Sequence, residues 1–272
     1  MTRSDVRQRG FALLIVLWTL ALLALLGTQL LTTSRQDTQV ARNLLDAATL
    51  EAAANGAVQQ AIFSLLDSSS RRWSPDGLLH PVRFGRAVVG VRIEDEAGKV
   101  NPSIASAGLL QALLQQVGAD AVTAAAVAAS IVEWRLASGT RGRSNAVAAR
   151  YAAAGRDYAP SGAPFANVGD LGAVIGMTPE LLARLRPHLT VFTDSDPGAT
   201  TRDPVVAQAL AAVGQRDVNV DEIGAGLVSV TADARGLGRA RFALHVIVRT
   251  NAQSRGRRYE ILARERFGLG QP

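Results

Sequence analysis

The chain has 272 residues, enough for one ample domain or two small ones, and 48% of it is hydrophobic. It contains no cysteine, which excludes disulfides and thiolate metal sites. A formal net charge of +6 points toward nucleic acid, but every base except Lys99 is an arginine, dispersed from Arg3 to Arg266, which is a compositional bias rather than a binding stripe.

The N-terminus carries Arg3, Arg7 and Arg9 against one acid, Asp5, and then Gly10. From Phe11 to Leu31 no side chain is charged. As a helix this stretch would span roughly 31 Å, close to the thickness of a bilayer's hydrocarbon. It exceeds the apolar core of a secretory signal, and no A-x-A follows it promptly, so it reads as a retained anchor. The positive-inside bias keeps the short N-terminal end cytoplasmic and sends the remainder across the membrane.

Apolar residues then recur at Val40, Leu44, Ala47, Ala48, Ala54, Val58, Ala61, Ile62, Leu65 and Leu66, near a 3.6-residue period. The pattern predicts one continuous helix from Phe11 to about Leu66, with Gly27 and Gly56 as points of bending and Ser68, Ser69, Ser70 and Pro75 ending it. Its half-apolar stripe calls for a partner surface.

Strand-like alternation follows at Val82 to Phe84 and Ala87 to Glu94, with a polar end at Glu94, Asp95 and Glu96. Comparable strands return only at Leu227 to Ala232, Ala240 to Thr250 and Arg258 to Phe267, with Gly236 and Gly256 in the turns and Arg255, Arg257 and Arg258 at the last hairpin's tip. Between them lies an alanine-rich helical block. It reads as Ala107 to Val117 stopped at Gly118, Ala121 to Leu136 behind the N-cap Asp120, a start at Asn167 with Asp170, another at Thr178-Pro179-Glu180, and Asp203-Pro204 opening Val205 to Val213. The simplest arrangement is a helical insertion between edges of one sheet.

These residues carry a family resemblance. Gly10-Phe11 behind a short basic leader resembles a class III, prepilin-type cleavage site. The ordered set Arg9 to Trp18, Asp95-Glu96-Ala97-Gly98-Lys99-Val100-Asn101, Ile131-Val132-Glu133-Trp134-Arg135, Gly176-Met177-Thr178-Pro179-Glu180-Leu181, Arg184-Leu185-Arg186-Pro187 and Val218-Asn219-Val220 is similar to the GspK-type minor pseudopilins of type II secretion systems.

The resemblance implies an α+β pseudopilin fold. Residues 1–10 would be the leader, 11–31 the transmembrane helix, 32–72 the periplasmic half of the long helix, 80–100 and 224–268 a small antiparallel sheet, and 101–223 an inserted all-helical domain. It implies cleavage between Gly10 and Phe11 by a prepilin peptidase, and N-methylation of Phe11. The expected place is the inner membrane of a Gram-negative bacterium, with the bulk of the chain periplasmic. Its partners there would be other minor pseudopilins, the major pseudopilin and the inner-membrane assembly platform. The expected role is to cap the pseudopilus and help initiate it, so that folded proteins are driven across the outer membrane. A minor pilin of a type IV pilus is the nearest alternative.

Most prepilin-like chains carry a glutamate at the fifth position after the cut, and this one has Ile15. A carboxylate in hydrocarbon is costly unless paired, so its omission fits a tip subunit with no neighbour ahead of it.

Three other readings have residues behind them. Leu171 to Thr178 is similar to a helix-hairpin-helix phosphate nest, but Ile175-Gly176-Met177 supplies one glycine where that nest wants two, and no aromatic residues interleave with a basic stripe, so no nucleic-acid partner is expected. Asp194, Asp196 and Asp203 are candidate calcium ligands, and the resemblance implies calcium in some relatives. The closing glutamate of a twelve-position loop is missing, however, and Asp before Ser or Pro is ordinary turn chemistry, so a solvated turn is preferred and no cofactor is required. His80, His188 and His245 stand far apart, and there is no G-x-S-x-G elbow or phosphate loop, while Gly236-Leu237-Gly238 lacks the later glycine of a dinucleotide fingerprint. An enzyme is not expected.

Overall fold

The computed structural model describes residues 4–137, 141–198, 201–214, 226–236, 240–250 and 258–267, excluding the side chains of 4–12, 26–38, 141–144 and 267. Helix α1 (Ser4–Leu66) runs uninterrupted for 63 residues, about 95 Å at the usual rise. Side chains from Gln39 to Thr49 are all exposed. Packing begins at Leu50 and continues through Ala53, Ala54, Ala57, Val58, Ala61, Ile62 and Leu65. The expected stripe is therefore shorter than its periodicity, with Val40, Leu44 and Leu45 left uncovered. Gly56 sits inside the helix, where an added Cβ would lie 3.0 Å from the Phe84 ring, so its small size admits that ring against the helix. The helix stops where Asp67 accepts from Ser69 N at 2.9 Å and Ser69 Oγ at 2.7 Å.

Among the described residues five antiparallel strands form a meander in sequence order: β1 (Asp76–Phe84), β2 (Ala87–Asp95), β3 (Leu227–Arg235), β4 (Arg241–Arg249) and β5 (Glu260–Phe267). The first strand starts at Asp76, earlier than the sequence pattern shows. Gly77 and Pro81 hide it, and Pro81 is tolerated because β1 is an edge strand. One face of the sheet covers α1: Val89, Val91, Ile93, Val228, Val230, Ala232, Ala234, Leu244, Val246 and Val248 pack on the alanine-rich helix stripe. The alanines let sheet and helix approach closely.

The insertion leaves from β2 and returns to β3, which are adjacent interior strands rather than edges, so it occupies the mouth of one hairpin. It comprises α2 (Ala107–Gln116), α3 (Ala121–Leu136), α4 (Arg141–Ala153), a 3-10 turn (Val168–Ala173), α5 (Pro179–Leu185) and α6 (Pro204–Ala212). The starts of α3, α5 and α6 are capped as the sequence predicts, and that of α2 by Ser106, which the sequence pattern does not single out. Ser106 accepts from Leu109 N, Asp120 from Val122 N and Thr123 N, Thr178 from Leu181 N, and Asp203 from Val205 N and Val206 N. Asn167 and Asp170 form a capping box, but on the 3-10 turn. Helix α4 is not among the elements the sequence predicts, and residues 138–140 before it lie outside the described set.

The helical unit has its own core, built on Leu109, Leu113, Ile131, Tyr151, Leu171, Leu185 and Leu210. Among the described residues it shares no buried residue with the core between α1 and the sheet. Trp134 anchors one flank, stacked on Phe165 at 6.1 Å and tilted against Tyr151 at 5.7 Å. The peptide at Val218-Asn219-Val220 and the turn at Gly256 lie outside the described residues.

Candidate functional site

The two cores meet through a short polar strap, residues 95–101. The Asp95 Oδ1 accepts from Ala97 N at 3.0 Å, and Glu96 N donates to Leu227 O at 3.1 Å, closing the β2–β3 mouth. Val100 N then donates to His188 O at 2.9 Å and Thr190 N to Val100 O at 3.0 Å, an isolated parallel bridge into the helical unit. Asn101 Nδ2 donates to Thr193 O at 2.6 Å, and Thr201 Oγ1 to Gly98 O at 2.7 Å. A Cβ on Gly98 would come within 2.7 Å of Thr201 Oγ1, so only glycine lets these two segments touch.

Lys99 sits at the centre of the strap. Its ammonium pairs with Glu96 and lies 3.6 Å from Glu94 Oε2. Glu96 is 3% exposed, so its charge depends on that partner. The only lysine of an arginine-rich chain thus sits between a buried and a half-buried carboxylate, where a compact cation fits. Glu94, Asp95 and Glu96 are more than the polar strand end their sequence suggests; the signal available was the solitary lysine. Clefts of about 300 and 340 Å³ flank the strap, both lined by Glu94 and Lys99. The first also has His188, Arg202 and Asp203, and the second Glu96, Arg186, His245 and Glu265.

Burial pushes the Asp95 carboxyl above the ordinary aspartate value, against the Ala97 N–H and Arg202, which pull it down. Asp196 is likewise raised by burial, with Arg135 opposing. The pKa of the Arg135 guanidinium is itself lowered by burial, and the group donates to Pro102 O at 2.9 Å and Ala105 O at 2.8 Å, pinning α3 to the segment that follows the strap.

The candidate ligands are dispersed in role. Asp194 is exposed, Asp196 Oδ1 is buried without a hydrogen-bond partner, and Asp203 caps α6 while its Oδ2 lies 2.5 Å from His188 Nδ1. Among the described residues no group of three or more His, Asp or Glu side chains is placed to hold a metal ion. The histidines are separate: His80 stacks on Trp73 at 4.3 Å, and His245 meets Thr231 Oγ1 at 3.0 Å. Gly176, at φ +86°, serves packing, because a Cβ there would lie 3.0 Å from Val127 Cγ2.

Gly10 and Phe11 lie on the helical backbone of α1, with their side chains outside the described set. Ile15 is exposed on the same helix beside Leu14, Trp18, Thr19 and Leu22. Among the described residues no helix is long and apolar enough to cross a membrane; within the run from Phe11 to Leu31, only the side chains of 13–25 belong to that set.

Residues 91–194, from the middle of β2 through the strap and most of the helical unit, match the family model described as type II secretion system protein K. No curated protein sequence matches the chain. Among solved structures, it is similar to a chain of the crystal structure of the GspK–GspI–GspJ complex from the type 2 secretion system of enterotoxigenic Escherichia coli. The identity is 15% and the TM-score 0.55, and the match covers 87% of this chain and 99% of that one, a likeness of fold. Residues 91–194 therefore form a protein K segment of the type II secretion kind, set between β2 and β3 of a helix-and-sheet scaffold of that fold.

Proposed function

We propose that this chain is a minor pseudopilin of the type II secretion system, of the protein K type: a single-pass inner-membrane subunit, cleaved between Gly10 and Phe11, methylated at Phe11, and seated at the tip of the pseudopilus, where it helps start assembly. The observation that carries the reading is the position of the protein K segment. It fills the mouth of the β2–β3 hairpin, at the end of the sheet away from the N-terminal half of α1. A bulky unit there obstructs the seat of a further subunit above, whereas the exposed stretch Gln39 to Thr49 and the apolar side chains from Leu13 to Leu23 are open to helices beside and beneath. Ile15 supports the tip position, because a subunit without a neighbour ahead has no amine to pair with a carboxylate in lipid.

The implied partners are companion minor pseudopilins corresponding to GspI and GspJ, then the major pseudopilin, the prepilin peptidase and the inner-membrane assembly platform. The role needs no cofactor and no chemistry from this chain. Folded exoproteins would be moved by growth of the filament beneath the cap.

Coexpression with a prepilin peptidase, followed by intact mass, tests the first step. The expected product lacks residues 1–10 and carries one methyl group on Phe11. Replacement of Gly10 by a bulkier residue should leave the precursor whole, and an uncut wild-type chain would count against the reading. Copurification with secretion-system rather than pilus subunits tests the second.

A further inference from the structure

The face of the sheet turned away from α1 carries an arginine cluster that neither core uses. Register aligns Arg83, Val88, Arg235 and Arg241 in one straight row across β1 to β4, with Arg235 directly opposite Arg241. All four side chains are exposed, because their strand neighbours Val82, Ala87, Val89 and Ala234 point into the core. Arg86 stands in the adjoining β1–β2 turn and Arg92 farther along β2. Neighbouring strands are about 4.8 Å apart, and like charges directly opposite destabilise a sheet. Among the described residues the only carboxylate paired with any of these arginines is Asp233, 2.7 Å from Arg235. The chain thus tolerates a repulsion that its fold does not need.

The cluster surrounds an apolar centre. Val88 is 44% exposed and Leu79 60% exposed, and Leu79 lies over Gly90, where a Cβ would come 3.0 Å from its Cδ1. Guanidinium groups around exposed aliphatic side chains on a flat sheet are the composition of a protein interface, and the planar fork of arginine matches carboxylates two bonds at a time. A Cβ added to Gly236, which follows the row, would lie 3.4 Å from Leu50 Cδ2, so the row lies at the end of the sheet facing the N-terminal half of α1. If Phe11 to Leu31 spans the bilayer, Leu50 stands roughly 28 Å beyond it, several Debye lengths from lipid headgroups.

From this geometry we infer that the Arg83–Val88–Arg235–Arg241 row, with Arg86 and Arg92, docks a carboxylate-bearing surface of a companion minor pseudopilin lying nearer the membrane. The inference rests on the assembly role proposed above. It adds the face used, the charge of the partner and a salt dependence.

The test uses the full chain in detergent with its companion minor pseudopilins, at about 0.05 M and about 0.5 M salt. Wild type should bind, and high salt should weaken binding. Arg83→Glu with Arg241→Glu should weaken low-salt binding by about tenfold or more and flatten the salt dependence. Arg83→Gln with Arg241→Gln should do the same to a smaller extent with melting unchanged or raised, since Arg235 then loses a repulsive neighbour; this pair decides the matter if the glutamate pair misfolds. Companion binding that ignores salt and both variants overturns the docking face but leaves the assembly role standing. No companion binding at either salt overturns both. Arginine-dependent binding of duplex DNA or of anionic vesicles, with companions unaffected by the variants, overturns the choice of partner.

Discussion

The Arg266 guanidinium lies 2.7 Å from Glu51 Oε1, tying the last strand to the first helix. Arg264 donates to Asn55 and Tyr259 Oη to Gln59 Oε1 along the same line. From Glu51 to Asn55 the helix rises about 6 Å and from Arg266 to Arg264 the strand about 6.7 Å, so these two rungs nearly match, while the third draws on Tyr259, five residues before Arg264 and past the irregularity in the β4–β5 register. These rungs are exposed, and each is weak on its own. Glu51→Ala should cost less than about 1 kcal/mol in urea unfolding, with the loss shrinking further at high salt.

The strap behaves differently because its ion pair is buried. Lys99→Met would leave Glu96, 3% exposed, without its cation, and the loss should be about 3–5 kcal/mol by denaturant unfolding. Adding Glu96→Leu to that variant should restore much of the stability, because the stranded carboxylate is then gone. Equal stability for Lys99→Met and wild type would show that the strap does not depend on the pair.

What the sequence discloses here follows from the range of each interaction. Local signals were readable: the caps at Asp120, Thr178 and Asp203, and the alternation of Ala87 to Glu94, all act within a few residues. The start of β1 at Asp76 was not readable, because Gly77 and Pro81 break the local pattern and only pairing with β2 makes the segment a strand. Nor was the route of the insertion, since adjacency of β2 and β3 is fixed by register across more than a hundred residues of chain. The strap escaped for the same reason: His188, Thr193 and Thr201 reach it from far along the sequence. The resemblance to protein K came from ordered motifs, and the region matched by the family model covers the strap and most of the helical unit.

The helix α1 should separate folding from assembly. Ile62→Ala opens the core under the sheet and should cost about 2–5 kcal/mol, whereas Leu44→Ala, on the exposed stretch, should change stability by less than about 0.5 kcal/mol. If companion helices cover that stretch, Leu44→Ala should nonetheless weaken copurification with the other minor pseudopilins. Unchanged recovery of the complex would remove Leu44 from the interface.

Acid stability offers a last test, centred on His245. Burial on the sheet lowers its pKa below the ordinary value, with Lys99 in the same sense, while Glu96, Glu265 and Glu94 pull the other way. The unfolded chain therefore binds a proton more readily than the native one as pH falls below about 6.5, and the native state loses stability through that window. Asp95 and Asp196 have the opposite sign. Their raised values make the native state bind protons first, so their contribution is fully present below the unfolded aspartate pKa and declines as pH rises through the folded values. A drop in melting temperature between about pH 7 and 5.5 should thus belong to the histidine. His245→Gln keeps a polar group beside Thr231 and should flatten the curve in that interval. A variant whose melting temperature still falls as steeply as wild type would assign the acid sensitivity to another group.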